Sequence, residues 1–250
     1  MVAKSETLTT QDGLGLSTKD IIYLIIFREL RIEPQVMKSL SETVVRESEN
    51  LNSRIYIYQV IREMASHNWV VQAERIGNHK IMAITDQGIK KQEELSSTYY
   101  VLLSELKDTT DYFVSELNGH LVKERPPMSD AVRKHFNRLI NVRHLTRYLF
   151  LTILEKEKAC TCVEIYELMQ LRYGWQCGEG YIYELAHEME HPERGWIIGR
   201  WTSNRKHTYV YRLTQEGYTW ISHECKDALE PIRSLQRYTV QLLKLFPSTV

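Results

Sequence analysis

Apolar positions along the chain recur at helical spacing and then switch to alternate positions, and this change of period happens twice. In the first passage, Ser17 with Asp20 reads as a capping box ahead of a helix that runs from Ile21 to about Ile32 and stops before Pro34. A second, polar helix is predicted over about 39–49, and a third begins near Ser53 with Ile57, Val60, Ile61 and Met64 on one face. The period then falls to two: Trp69 to Ile76 and Lys80 to Thr85 flank Gly77-Asn78, a hairpin signal. A longer helix follows from about Asp86 to Asn118, striped by Leu95, Tyr99, Leu102, Leu106, Phe113 and Leu117. Such a stripe exceeds what one small domain can cover and predicts a partner helix.

The second passage repeats the plan. YLFLTILE from Tyr148 parallels YLIIFREL from Tyr23, and EGYIYELAHEM at 179–189 parallels RIYIYQVIREM at 54–64. Between them VEIYELMQLRY at 163–173 reads as one helix, and Ile182, Leu185 and Met189 share a face of the next. Trp196 to Trp201 and Thr208 to Thr214 flank Ser203-Asn204, with Tyr209, Tyr211 and Leu213 alternating against Val210 and Arg212. Trp196 answers Trp69, both expected in the core, and TQEG at 214–217 answers TDQG at 85–88. The offset is 125 residues through the helices and 129 after the hairpin. The closing helix is expected to break at Pro231 and to continue its stripe through Ile232, Leu235, Thr239, Leu242 and Phe246.

Three helices followed by a two-stranded wing define the expected fold: mainly α with small β-hairpins, arranged as two tandem winged helix-turn-helix domains, each followed by a long C-terminal helix. The expected organisation is a disordered tail over 1–16, a first domain over 17–118, a linker over 119–130 marked by Pro126-Pro127, and a second domain over 131–250.

Composition narrows the class. A hydrophobic content of 43% with 26% charged residues is that of a folded chain. The longest apolar run, IIYLIIF at 21–27, is far short of the ~20 residues of a membrane span. No signal peptide is read at the start, so a cytoplasmic protein is expected. Cys160, Cys162, Cys177 and Cys225 form no CxxC pair and are read as reduced thiols. No Gly-rich phosphate loop, HExxH or GxSxG is present, and neither enzymatic activity nor a cofactor or metal is expected. The net charge of zero hides an asymmetry, since residues 1–118 carry 13 Lys and Arg against 17 Asp and Glu, and the remainder 19 against 15.

Within the second passage, Gly180, Ile182, Tyr183, His187, Met189 and Glu190, followed by Asn204-Arg205-Lys206 and by Tyr209, Tyr211, Arg212, Leu213, Thr214 and Gly217, resemble the PadR family of bacterial winged-helix transcriptional regulators. The resemblance covers roughly 145–246. The first passage departs from it: Ile55 stands where the family has Gly, and only Ile84-Thr85 with Gly88 keep the wing's ending. The resemblance implies a DNA-binding regulator dimerising through its C-terminal helix. No small-molecule effector is carried over from it.

The start of a third helix reaches base edges in this architecture, while a wing neutralises phosphates. The candidate DNA-binding residues are Asn52, Ser53, Arg54, Tyr56, Tyr58 and Gln59 with Arg75, Asn78, His79 and Lys80 in the first domain. In the second they are Tyr181, Tyr183, Arg200, Asn204, Arg205, Lys206 and His207. The first domain is expected to supply base contacts and the second to hold phosphates through its wing. The basic run at 133–138 with Arg143, His144 and Arg147 is read as an ordinary amphipathic surface, with DNA contact as the alternative. The expected function is a sequence-specific double-stranded-DNA-binding transcriptional regulator, a repressor, acting as a homodimer through 86–118 or 232–246 or both, with a compact monomer whose two units pair through their own terminal helices as the next choice. The rivals are a protein-interaction module and a phage or plasmid protein for replication or partition.

Overall fold

The computed structural model describes residues 14–48, 53–120, 124–202 and 208–247. The molecule is mainly helical with small antiparallel sheets. In chain order the first elements are α1 (Thr18–Ile32), β1 (Gln35–Val36), α2 (Met37–Glu47), α3 (Arg54–Ser66), β2 (Val70–Ile76), β3 (His79–Ile84) and α4 (Asp86–Leu117). They are followed by α5 (Asp130–Leu139), α6 (Val142–Glu157), α7 (Cys162–Leu168) with a π-helical turn over Met169–Tyr173, α8 (Glu179–Glu190), β4 (Ile197–Trp201), β5 (Tyr209–Leu213) and α9 (Gln215–Leu243).

The chain divides into two compact units, Met1–Lys107 with Arg237–Val250, and Asp108–Gln236. The division falls inside α4 rather than in the expected linker at 119–130, and the C-terminal end joins the first unit rather than the second. Two further expectations change. Leu14 and Leu16, assigned to a disordered tail over 1–16, are buried, and the Tyr99 hydroxyl donates to the Gly15 carbonyl at 3.2 Å. The linker residue Arg125 donates to the Gln170 carbonyl at 2.9 Å, a second donor on an oxygen that already accepts the Gly174 N–H at 3.0 Å.

In the first unit α1 is the central helix. Its capping box is present, with the Asp20 N–H donating to Ser17 Oγ at 3.1 Å and the Ser17 N–H to Asp20 Oδ2 at 3.0 Å. Ile21 through Phe27 are all buried, as in a helix covered on every side. Glu33, extended ahead of Pro34, ends it. The sheet has three strands in the order β1-β3-β2, one more than the expected hairpin. The two-residue strand β1 escapes periodicity analysis because it is too short to alternate.

The second unit is built on the same plan. Its central helix α6 buries Leu149, Phe150, Leu151, Ile153 and Leu154. A Thr161–Glu164 capping box opens α7. Where Gln35 pairs with Met82 in the first unit, Cys160 bridges Tyr211 in the second, each pair related to the other by the offsets of the sequence repeat. An aromatic core of Phe113, Phe136 and Trp175 fills the space beside it, with Phe113 stacked on Phe136 at 5.3 Å. The Trp175 indole N–H donates to Thr146 Oγ1 at 3.0 Å.

Pro231 lies inside α9 and does not break it. The cost is the lost donor to the Asp227 carbonyl, and Asp227 is exposed, so water can replace it. Leu95, Leu106, Phe113 and Leu117 of α4 and Ile232, Leu235, Thr239, Leu242 and Phe246 of the C-terminal segment are all buried in the single chain. In the first unit Tyr100 meets Phe246 edge to face at 6.1 Å. In the second, the Cys225 thiol lies 3.2 Å from the Leu117 carbonyl and Arg233 donates to Asn118 Oδ1 at 2.8 Å. The partner helix that the stripes call for is thus supplied by the chain itself. Among the described residues no helix is long and apolar enough to cross a membrane.

Candidate nucleic-acid interface

Ser53 caps α3 by accepting the Tyr56 N–H at 3.2 Å, and this fixes the helix start at the expected residue. Ile57, Val60, Ile61 and Met64 go to the core, so Arg54, Ile55, Tyr56 and Gln59 are turned to solvent on the opposite face. Arg54 lies 3.6 Å from Glu42, a loose exposed pair that is readily exchanged for a stronger anion. Asn52 lies outside the described residues.

The hairpin projects beyond the core, and residues 71–80 are exposed throughout. Register pairs Arg75 with Lys80 and Ile76 with His79. Arg75 bends back over the turn, its Nε donating to the Gly77 carbonyl at 3.1 Å. A bulge between Gln72 and Glu74 increases the local twist of the outer hairpin.

Between α3 and the hairpin runs a groove of about 460 Å³. Of the expected residues, Tyr58, Asn78, His79 and Lys80 line it. Two more cations line it: Arg62 one turn beyond Tyr58, and Lys38 at the start of α2, which sequence reasoning did not bring to the site. Among the described residues no Asp or Glu does. The Tyr58 hydroxyl sits at its floor, 3.4 Å from Ser41 Oγ. Arg62 was legible from its four-residue spacing to Tyr58. Lys38 carried no local signal, because only the packing of α2 on α3 brings it in. Ile55, the position departing from the family pattern, is 72% exposed at the helix start.

The second unit differs in chemistry at the same places. Tyr183 is half exposed on α8, while Tyr181 is half buried, and burial pushes its phenol up against the opposing pull of Arg143 and Arg147. Arg200 is exposed on β4. Asn204, Arg205, Lys206 and His207 lie outside the described residues. Glu179 and Glu184 are exposed on α8. Of the basic alternatives, Arg143 and Arg147 are both bonded to Glu188, and Arg147 is only 4% exposed. His144 Nδ1 lies 2.6 Å from Glu224, itself buried. These groups tie α6 to α8 and α9; Arg147 is covered there, while Arg143 keeps an exposed edge. The helix carrying 133–138 buries Val132 and Phe136 and is amphipathic, as expected.

The four cysteines are free thiols. Burial raises Cys160, Cys162 and Cys177 to about 11, out of the range of reactive thiolates. No family model, no curated protein and no solved structure matches the chain.

Proposed function

We propose that the chain is a tandem winged helix-turn-helix protein, related to PadR regulators, that binds double-stranded DNA and represses transcription by occupying its site. The observation that carries this reading is the first unit's groove, where Lys38, Arg62, His79 and Lys80 converge with no carboxylate among the described lining residues. A groove lined by one sign of charge concentrates a polyanion, and phosphate contacts supply most of the affinity of such a protein. The exposed start of α3 offers chemistry for reading bases: Arg54 can pair with guanine, Gln59 with adenine, and Ile55 can meet a thymine methyl. In this reading the first unit is the principal head, and the second contributes through Arg200 and its hairpin tip. Such a protein works in the cytoplasm with the nucleoid. A homodimer through 86–118 or 232–246 would have to use faces other than the buried stripes, such as the one bearing exposed Val101 on α4.

One observation favours a second reading, a protein-interaction module. The second unit exposes Val163 and Tyr183 along a cleft that Glu179 also lines, a surface suited to a polypeptide rather than a phosphate backbone. Footprinting on the gene's own upstream region tests the first reading. A protected tract supports it, and elution from heparin at low salt without any footprint favours the second.

A further inference from the structure

The second unit has a groove of about 700 Å³ in the position that the basic groove occupies in the first. The offsets of the repeat put Val163 in place of Lys38, His187 in place of Arg62, Tyr209 in place of Lys80 and Glu190 in place of Ala65. One lysine has become an aliphatic side chain, the other a phenol ring, the arginine an imidazole, and a methyl has become a carboxylate.

The rings form a walled corner. Tyr209 meets Trp201 at 5.0 Å with planes inclined by 62°, and Tyr211 at 5.1 Å and 83°. Tyr183 lines the α8 side. Gly199 makes the arrangement possible, because a Cβ there would lie 2.2 Å from a Tyr209 ring carbon. The Tyr209 ring therefore lies across the β4 backbone, and its hydroxyl donates to Glu190 Oε1 at 2.7 Å. The Gly199 N–H donates to the same oxygen, also at 2.7 Å. Two donors on Oε1 hold the carboxylate in place and leave Oε2 to meet a ligand. The aromatic pair at Trp201, 48% exposed, stays open to solvent.

Ring faces carry negative quadrupole charge and attract cations, most of all those whose hydration is weak. A fixed carboxylate beside them adds a counter-charge. The volume is that of a small-molecule site. The geometry points to a binding site for a small organic cation, a quaternary or heavily alkylated ammonium, in an open groove lined by Tyr183, Trp201, Tyr209 and Tyr211 with Glu190 as its counter-ion. This site goes beyond the DNA-binding reading and does not depend on it.

The test is calorimetric titration of the full chain, without DNA, with choline and with its neutral carbon isostere 3,3-dimethylbutan-1-ol. Choline is expected to bind at least tenfold more tightly than the isostere. Glu190→Gln is expected to weaken choline about tenfold and to erase the preference, and Trp201→Ala to weaken it at least as much. Equal binding of the two probes, or no binding of either, overturns the site, and this comparison needs only the wild-type chain. If the variants fold and leave choline affinity unchanged, the assignment to this groove is wrong. N-acetyl-lysine amide separates a free alkylated ammonium from a protein side chain: tighter binding of that probe than of choline would overturn the choice of ligand.

Discussion

Gly217 approaches Trp196 so closely that a Cβ on the glycine would lie 2.0 Å from the tryptophan's carbonyl oxygen, and Gly88 stands in the same relation to Trp69 at 2.1 Å. The carbonyls are held there by matching bonds. The Thr214 N–H donates to the Trp196 oxygen at 3.1 Å and the Thr85 N–H to the Trp69 oxygen at 3.1 Å. Each threonine hydroxyl then accepts the N–H of its glycine at 3.1 Å. This clamp fixes the hairpin's exit to the start of the long helix, and it occurs once in each unit. Gly217→Ala and Gly88→Ala should each cost about 2–3 kcal/mol, since backbone rather than a movable side chain blocks the added methyl. Urea unfolding monitored by tryptophan fluorescence checks it, and a change under ~0.5 kcal/mol at either site would remove the clamp from the account.

Glu188 ties Arg143, Arg147 and Arg194 together, with Arg147 buried. Removing the carboxylate leaves Arg147 with Glu224 at 3.5 Å as its remaining counter-charge. Glu188→Ala should therefore destabilise by about 3 kcal/mol, near the low end for breaking a buried pair. Thermal unfolding at neutral pH measures this.

The same carboxyl predicts a pH dependence. Burial alone would raise Glu188, but hydrogen bonds from Arg147 and Arg143 outweigh it and hold the group below its ordinary 4.5. Its contribution to stability is complete above 4.5 and disappears as the pH falls through the lower folded value. Between 4.5 and that lower value, stability should fall less steeply with decreasing pH in Glu188→Gln than in the wild type. Parallel curves would show that the pair contributes nothing there.

Cys160, Cys162 and Cys177, raised to about 11 by burial, should be poor nucleophiles. At pH 8 about a thousandth of each would be thiolate, so alkylation of the folded chain should be far slower than that of the unfolded chain. Mass spectrometry of iodoacetamide-treated protein decides this, and rapid modification at these sites would contradict the burial described.

The buried stripes predict the oligomeric state. Phe113, Leu117, Ile232, Leu235 and Phe246 are covered within one chain, so the protein should sediment as a monomer at micromolar concentration. A stable dimer in equilibrium sedimentation would mean that another face associates.

Much of this was legible in the sequence because the repeat doubles the signal. The Ser17–Asp20 box, the Ser53 cap and the Gly77-Asn78 turn depend on local chemistry, and each lies where the residues put it. What was not legible depends on long-range packing. Pro231 reads locally as a break, yet the helix continues through it. Pro126-Pro127 marks a linker, but the units divide after Lys107, because packing and not local chain stiffness determines where a unit ends. At the candidate interface the charges on α3 and the hairpin could be read residue by residue. Lys38 could not, nor could the capture of Arg143 and Arg147 by Glu188, which needs a contact across 41 to 45 residues.

The most direct measurement is a fluorescence-polarisation titration of duplex DNA, repeated over a range of salt, for the wild type and for Arg62→Glu combined with Lys80→Glu. Both side chains are exposed, so the fold should survive the change. The wild type should bind duplex DNA, and the double variant should lose at least tenfold in affinity for every sequence tried. Its logarithmic salt dependence should also be shallower by about two. Unchanged affinity and slope in the double variant, or a wild type that binds no duplex at low salt, would contradict the DNA-binding reading.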